Sequence, residues 1–430
     1  MSIVLIMGRV SAEPLVCGEK LSIDQAVAMA VNNNAAVQQA RAAAAAARAR
    51  IGEVRADLYP QIQGSANFEA FSNIPTFNVQ GPPGVPSQSF PVTNSPTNLI
   101  GAIATRQNVY TGGRVSSQIS RTEALYDVAL SQLATAQTDV ALQVRQAYYL
   151  VLLNQALVRS GEETLRSAQQ QLADARARFE AGTAARFDVL RAETQVSTAQ
   201  ENLVRTRNNV EVSRVRLNRA LNANLGNSYE LTDPGLAKVP AENLDNLINV
   251  GKQQRAEILA ARASVRAAEY GIRVARSAAY PQLGVGAVYQ LVTNENPSAT
   301  TGWTFTATLS QEIFDAGRIR STVKEAKALR DEAKVGLENT LQEVEQNVRQ
   351  SYLDLLTARQ TLDTSAARLA QATEAYDVAV VRYQSGVSTA TELADALSAL
   401  AQARANADTA RFDFDIAYAS LQRALGRSTY

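Results

Sequence analysis

The chain has 430 residues, with 42 Lys plus Arg against 41 Asp plus Glu, and no histidine. The side chain that most often shuttles protons and ligates metals near neutral pH is missing, so no enzyme activity, cofactor or metal site is expected. A formal net charge of +1, with basic residues scattered among acids, offers no concentrated surface for nucleic acid.

Ser2-Ile3-Val4-Leu5-Ile6-Met7 followed by Val10-Ser11-Ala12 looks like the shortened end of a secretory signal, so residues 1–12 read as a signal remnant and the chain as exported. Cys17, the only cysteine, follows Val16 rather than a small residue and reads as part of a linker, not as a lipid anchor. No apolar run approaches the ~18 residues of a membrane-spanning helix. Any crossing of a bilayer must therefore use strands.

A first helix is expected over about Ile23 to Leu58, stopped by Pro60. Gln61 to Ala70 then alternates, with Ile62, Gly64, Ala66, Phe68 and Ala70 on one face and Gln61, Gln63, Ser65, Asn67 and Glu69 on the other. Phe71 to Asn98, rich in Pro, Ser, Asn and Thr, reads as an exposed loop. A second strand at about 99–108 alternates less cleanly. A long helix over 114–181, about 68 residues or ~100 Å at 1.5 Å per residue, leads to a tight turn at Gly182. A returning helix over 184–221 and a linker over 227–243 complete this half.

The pattern is then written again. At a shift of 204, Gln107 meets Gln311, Gly113-Arg114 meets Gly317-Arg318, Tyr148 meets Tyr352, Arg178 meets Arg382, Gly182 meets Gly386, and Arg219-Ala220-Leu221 meets Arg423-Ala424-Leu425. Upstream the shift is 221, where Tyr59-Pro60-Gln61 meets Tyr280-Pro281-Gln282. The first copy, 21–226, thus carries 17 extra residues, the difference between the shifts, inside its proline-rich loop. The second copy, 244–427, is expected to hold a helix, strands at about 282–291 and 302–311, a long helix over 318–385 and a helix over 389–425. Leu283, Val285, Ala287, Tyr289 and Leu291 form one apolar row there, and Trp303, Phe305, Ala307 and Leu309 another.

Strands of ~10 residues with one apolar and one polar face suit a transmembrane barrel. Four strands cannot close one, because the smallest use about eight, and open edges are excluded from lipid. The barrel must be shared between chains, about eight strands from a dimer or about twelve from a trimer.

The helices change period along their length. Leu125, Ala129, Leu133, Ala136, Val140, Val144, Ala147 and Val151 follow an eleven-residue repeat, which keeps helices nearly straight. Nearer the turn, Leu165, Ala168, Leu172, Ala175 and Phe179 follow heptads, matched by Leu369, Ala372, Tyr376, Ala379 and Tyr383, and heptads coil left-handed. The expected fold is mainly α with membrane β: a long helical barrel with an internal twofold repeat, ending in two coiled-coil hairpins per chain.

The segment LSIDQAVAMAVNNNAAVQQARAA, the paired YPQ, the paired GGR and AGR, the paired RFEAG and RYQSG turns and the ALN and ALG endings resemble the TolC-like outer-membrane efflux proteins, from Leu21 to Gly426. The resemblance implies a homotrimer with a twelve-strand barrel in outer-membrane lipid, a helical tunnel in the periplasm, and a closed tip opened by a periplasmic adaptor and an inner-membrane pump of the RND or ABC type. The implied function is a passive exit duct for efflux or type I secretion. Matching from Gly386 places Glu392 and Asp395 at the periplasmic entrance, with Glu392 also suited to cap a helix behind Thr389. Asp188 and Tyr383 match the contact that latches hairpins. The usual basic partner is replaced by Ser388, leaving Arg186 as its substitute. The turns Gly182-Thr183 and Gly386-Val387 are the implied adaptor-docking tips. A periplasmic adaptor protein would carry its hairpin once and lack paired barrel strands, and a structural coiled-coil protein would lack the strands altogether.

Overall fold

The computed structural model describes residues 20–73, 76–91, 97–237, 243–294 and 300–427. The signal-like residues 1–12, Cys17 and part of the linker lie outside them. In chain order the described elements are β1 Lys20–Leu21, α1 Ile23–Asn33, α2 Ala35–Arg55, β2 Gln61–Ala70, β3 Thr76–Val79, β4 Gln88–Pro91, β5 Thr97–Tyr110, α3 Arg114–Glu180, α4 Arg186–Leu221, β6 Glu230–Leu231, α5 Leu244–Gln254, α6 Ala256–Ser277, β7 Gln282–Asn294, β8 Thr300–Ser310, α7 Arg318–Gln384 and α8 Ala390–Ala424. Among the described residues no helix is long and apolar enough to cross a membrane. The chain divides into two units: Met1–Ala43 with Ala129–Ala260 and Glu338–Tyr430, and Ala44–Val128 with Ala261–Leu337.

The smaller unit is built around an antiparallel sheet in the order β2-β5-β7-β8. Residues directly opposite across antiparallel strands share a face. Ile62, Thr105, Ala287 and Phe305 fall in one row, and Gly64, Ile103, Tyr289 and Trp303 in another, so the apolar faces of all four strands coincide. β5, whose alternation is the weakest, joins that face through Leu99 and Ile103. The face is bare: Phe68, Trp303 and Phe305 are 70%, 63% and 79% exposed. Among the described residues β2 and β8 each have a partner on one side only. The stretch expected as a loop over Phe71 to Asn98 also contains a hairpin, β3 with β4, because Phe77 and Phe90 sit opposite one another and stack at 5.7 Å.

The first helix expected over Ile23 to Leu58 is broken at Asn34, and its counterpart in the second copy is broken at Arg255. Asn34 has extended backbone, and its side chain replaces helical bonds: Oδ1 accepts from the N–H of Ala36 at 2.9 Å and Nδ2 donates to the Ala220 carbonyl at 2.9 Å. At the equivalent break, the Arg255 guanidinium donates to the carbonyls of Arg423 and Ala424, both at 3.3 Å. Ala220 and Ala424 are themselves equivalent by the shift of 204. Each break thus supplies donors to the last carbonyls of a returning helix, which a helix cannot satisfy alone. Arg255 is almost fully buried, held by two hydrogen bonds to Glu257 at 2.9 and 2.8 Å, and Arg423 reaches Asp139 of α3 at 2.6 Å.

The core of the larger unit collects Ala26, Val27, Ala30 and Val37 from the first helical stretch, Val140, Val144, Tyr148 and Val151 from α3, Leu217 and Leu221 from α4, and Phe412 from α8. Tyr148 is fully buried, and its hydroxyl lies 2.7 Å from the carbonyls of both Leu21 and Thr232. This one phenol joins β1 to the segment after β6, the strands pairing in parallel as Leu21 with Leu231. Part of the expected linker is therefore sheet. Burial pushes the Tyr148 phenol up to about 12, and that of Tyr149 likewise, with Asp415 adding to the latter.

Removing the hydroxyl in Tyr148→Phe leaves buried carbonyls short of a donor, a loss of about 1–3 kcal/mol, read as a lower thermal midpoint by circular dichroism. A phenol whose pKa is raised on folding contributes stability that is complete below about pH 10 and lost as the pH rises toward 12. The wild type should therefore weaken across that window, and Tyr148→Phe should weaken less steeply there.

Candidate functional site

Both hairpins of the larger unit end on a glycine in left-handed backbone, Gly182 at φ +74° and Gly386 at φ +75°, where any other L-residue would be strained by about 1–2 kcal/mol. The caps are the same. The N–H of Thr183 donates to the Arg178 carbonyl at 2.8 Å and that of Gly182 to Phe179 at 3.0 Å; the N–H of Val387 donates to Arg382 at 2.9 Å and that of Gly386 to Tyr383 at 3.1 Å. The returning helices then open on acids. The Glu392 N–H donates to Thr389 Oγ1 at 3.3 Å, and in the first copy, where Ala185 has no side-chain acceptor, the Asp188 carboxylate accepts from the Ala185 N–H at 3.3 Å.

Two arginines tie one hairpin to the other. The Arg178 guanidinium of α3 lies 4.4 Å from the centre of the Tyr383 ring on α7 and donates to the Gln384 carbonyl at 3.0 Å. Arg191 of α4 donates to the Thr391 hydroxyl of α8 and lies 3.8 Å from the Asp395 carboxylate. Tyr383 is buried; burial holds its phenol above the ordinary value, Arg178 pulls it back, and Asp188 and Asp174 push it up again. Asp188, Arg191, Gln171, Gln195 and Tyr383 line one narrow cleft. Further from the tip, Ser160 donates to Asp408 at 2.9 Å and Arg404 pairs with Glu163 at 3.2 Å, so polar contacts continue between the hairpins.

The residues expected at the tip fall into two groups. Asp188 and Tyr383 meet in the cleft. Glu392 lies 4.0 Å from Arg382 of its own hairpin, and the Asp395 side chain is 75% exposed. Arg186, the expected basic substitute, is exposed and forms no ion pair among the described residues. It lies only two residues from Asp188, and residues two apart point to different sides of a helix. The arginines that reach from the first hairpin to the second are Arg178 and Arg191. Arg191 could have been found from the repeat, because the shift of 204 carries it onto Asp395: equivalent positions hold opposite charges and pair. Beside Gly182, Thr183, Gly386 and Val387, the tips also expose Phe187 at 68% and Leu190 at 50%.

The model of the outer membrane efflux protein family matches residues 26–223 and 247–427. The chain belongs to that family. The toluene efflux pump outer membrane protein TtgC of Pseudomonas putida is 27% identical over 425 residues, covering 95% of this chain and 84% of TtgC. The outer membrane protein TolC of Vibrio cholerae is 28% identical over 315 residues, covering 69% of each. Among solved structures, CusC superposes with a TM-score of 0.81 at 19% identity, covering 97% of this chain and 96% of CusC. As an outer membrane efflux protein, the chain works in efflux at the outer membrane, and the bare apolar face of its sheet suits lipid.

Arg178→Ala removes a cation–π contact and a hydrogen bond, about 1–2 kcal/mol, so local opening of the tips should rise about 5- to 30-fold. Trypsin cleavage after Arg186 and Arg382 should accelerate by that factor while the global thermal midpoint stays near wild type.

Proposed function

We propose that the chain acts as a homotrimer whose twelve strands close one outer-membrane barrel, and whose helices form a gated periplasmic duct served by a periplasmic adaptor and an inner-membrane pump of the RND or ABC type. The observation that carries this reading is the sheet with one bare apolar face and two unpaired edges, which no single chain can seal in lipid. The chain supplies no energy and does no chemistry; it lets cargo pass when the tips part. The toluene efflux relative supports a small, largely apolar molecule as cargo.

In this reading the tips are the gate. Arg178 on Tyr383 and Arg191 on Thr391 and Asp395 hold the two hairpins of a chain together, and Asp395, exposed beside Arg191, contributes one carboxylate per chain to a ring at the entrance. Three carboxylates near one axis attract cations. Glu392 chiefly serves the start of α8, where its N–H meets Thr389. Exposed apolar residues at the turns, Phe187, Leu190 and Val387, extend the surface that an adaptor meets. The Arg191 contacts are partly exposed, and an exposed pair contributes at most about 1 kcal/mol, a strength that a docking partner can readily overcome.

Single channels in planar bilayers test the assignment. Asp395→Ala should lower the preference for cations over anions, and Arg191→Ala should raise conductance or open probability. A channel with wild-type selectivity after the first change would remove Asp395 from the entrance, and wild-type gating after the second would remove Arg191 from the latch.

A further inference from the structure

We infer that the joint between chains in the barrel copies the joint inside each chain, so that β8 pairs with β2 of the next copy in one defined register and is lengthened by that pairing through Phe314. The inference rests on the shared-barrel reading and adds to it the residues that meet.

Within one chain, β5 of the first copy pairs with β7 of the second, Arg106 opposite Gly286, Ala104 opposite Val288 and Ile103 opposite Tyr289. The shift of 204 carries β5 onto β8, and the shift of 221 carries β2 onto β7. Applied to the β5–β7 pairs, the two shifts place Ser310 opposite Ser65, Thr308 opposite Asn67 and Ala307 opposite Phe68 on the next chain. They also place Leu309 opposite Ala66 and Phe305 opposite Ala70.

The side chains support this register over its neighbours. On the apolar face each pair joins one large and one small residue: Leu309 with Ala66, Ala307 with Phe68, Phe305 with Ala70. On the polar face Ser310, Thr308 and Thr306 meet Ser65, Asn67 and Glu69. A slip of one residue would set apolar against polar faces. A slip of two in one direction would put Phe305 against Phe68 and Ala307 against Ala66, crowding one pair and leaving the other hollow.

A second observation comes from what β8 lacks. β5 stays in strand as far as Tyr110, because Gln107, Asn108 and Tyr110 have partners in β7. β8 stops at Ser310, and Ile313 and Phe314, which match Val109 and Tyr110, are 98% and 86% exposed. The same position is strand and about half exposed where a partner exists, at Val109 (56%) and Tyr110 (50%), and out of strand and almost fully exposed where it does not. With β2 of a neighbour in place, Glu312 falls opposite Gln63 and Phe314 opposite Ile62, itself 75% exposed.

Cysteine pairs in the full chain, in a Cys17→Ser background and in native outer membranes, test the register by oxidation and denaturing electrophoresis without reductant. Directly opposed residues have Cα atoms about 4.5–5.5 Å apart, within disulfide reach, while those offset by two are about 7–8 Å apart and beyond it. Within one chain β2 and β8 are separated by two strands, about 14 Å, so a bond between them must join two chains. Thr308→Cys with Asn67→Cys should cross-link, and Thr306→Cys or Ser310→Cys with Asn67→Cys at least about tenfold more slowly. Glu312→Cys with Gln63→Cys should cross-link as well. A faster shifted pair, or no cross-link in material that is still oligomeric, would overturn the register; failure of the Glu312–Gln63 pair alone would overturn the lengthening. Monomeric, uncross-linked protein in the membrane would instead overturn the shared barrel itself.

Discussion

A peptide group in hydrocarbon has no water to bond, and this constraint governs the molecule. The sheet of β2, β5, β7 and β8 satisfies its inner strands and leaves an outer row of N–H and C=O groups on both β2 and β8. Each unsatisfied group in lipid costs several kcal/mol, so a chain of four strands is stable in a membrane only with other chains beside it. The exposed Ile313 and Phe314 just past β8 go with the same open edge, whereas the bare apolar face of the sheet suits the lipid itself.

Duplication supplies the framework, and the differences between the copies decide which contacts each copy makes. The two helix breaks are equivalent in place and in task, yet one uses the neutral amide of Asn34 and the other the buried cation of Arg255 with Glu257, Arg423 and Asp139 around it. The hairpin tips share a backbone cap to within a few tenths of an ångström but not their charges. Arg178 reaches across to Tyr383, whereas its counterpart Arg382 stays within its own hairpin near Glu392; Arg191 and Asp395, equivalent in sequence, are opposite in sign and meet. Identical hairpins could not pair by charge in this way.

Much was readable in the residues because it depends on short-range periodicity. Alternation marked the strands, the eleven- and seven-residue spacings marked the long helices, and two shifts of the chain against itself exposed the repeat. Glycines at 182 and 386 announced the turns, since a left-handed position suits little else. The expected edge problem also followed from sequence, because it needs only a strand count and the nature of lipid.

What the sequence by itself determined, then, is the repeat, the order of its elements, the apolar face of each strand and the glycine turns, all set by neighbours within a few residues. Tertiary structure decided the break at Asn34, because its amide must find the Ala220 carbonyl 186 residues away, and the short strands β1 and β6, which the Tyr148 hydroxyl holds together from a third part of the chain. It also decided that Arg178 and Arg191, not Arg186, meet the second hairpin. Which arginine reaches across depends on how helices rotate against one another, and local spacing does not encode that rotation.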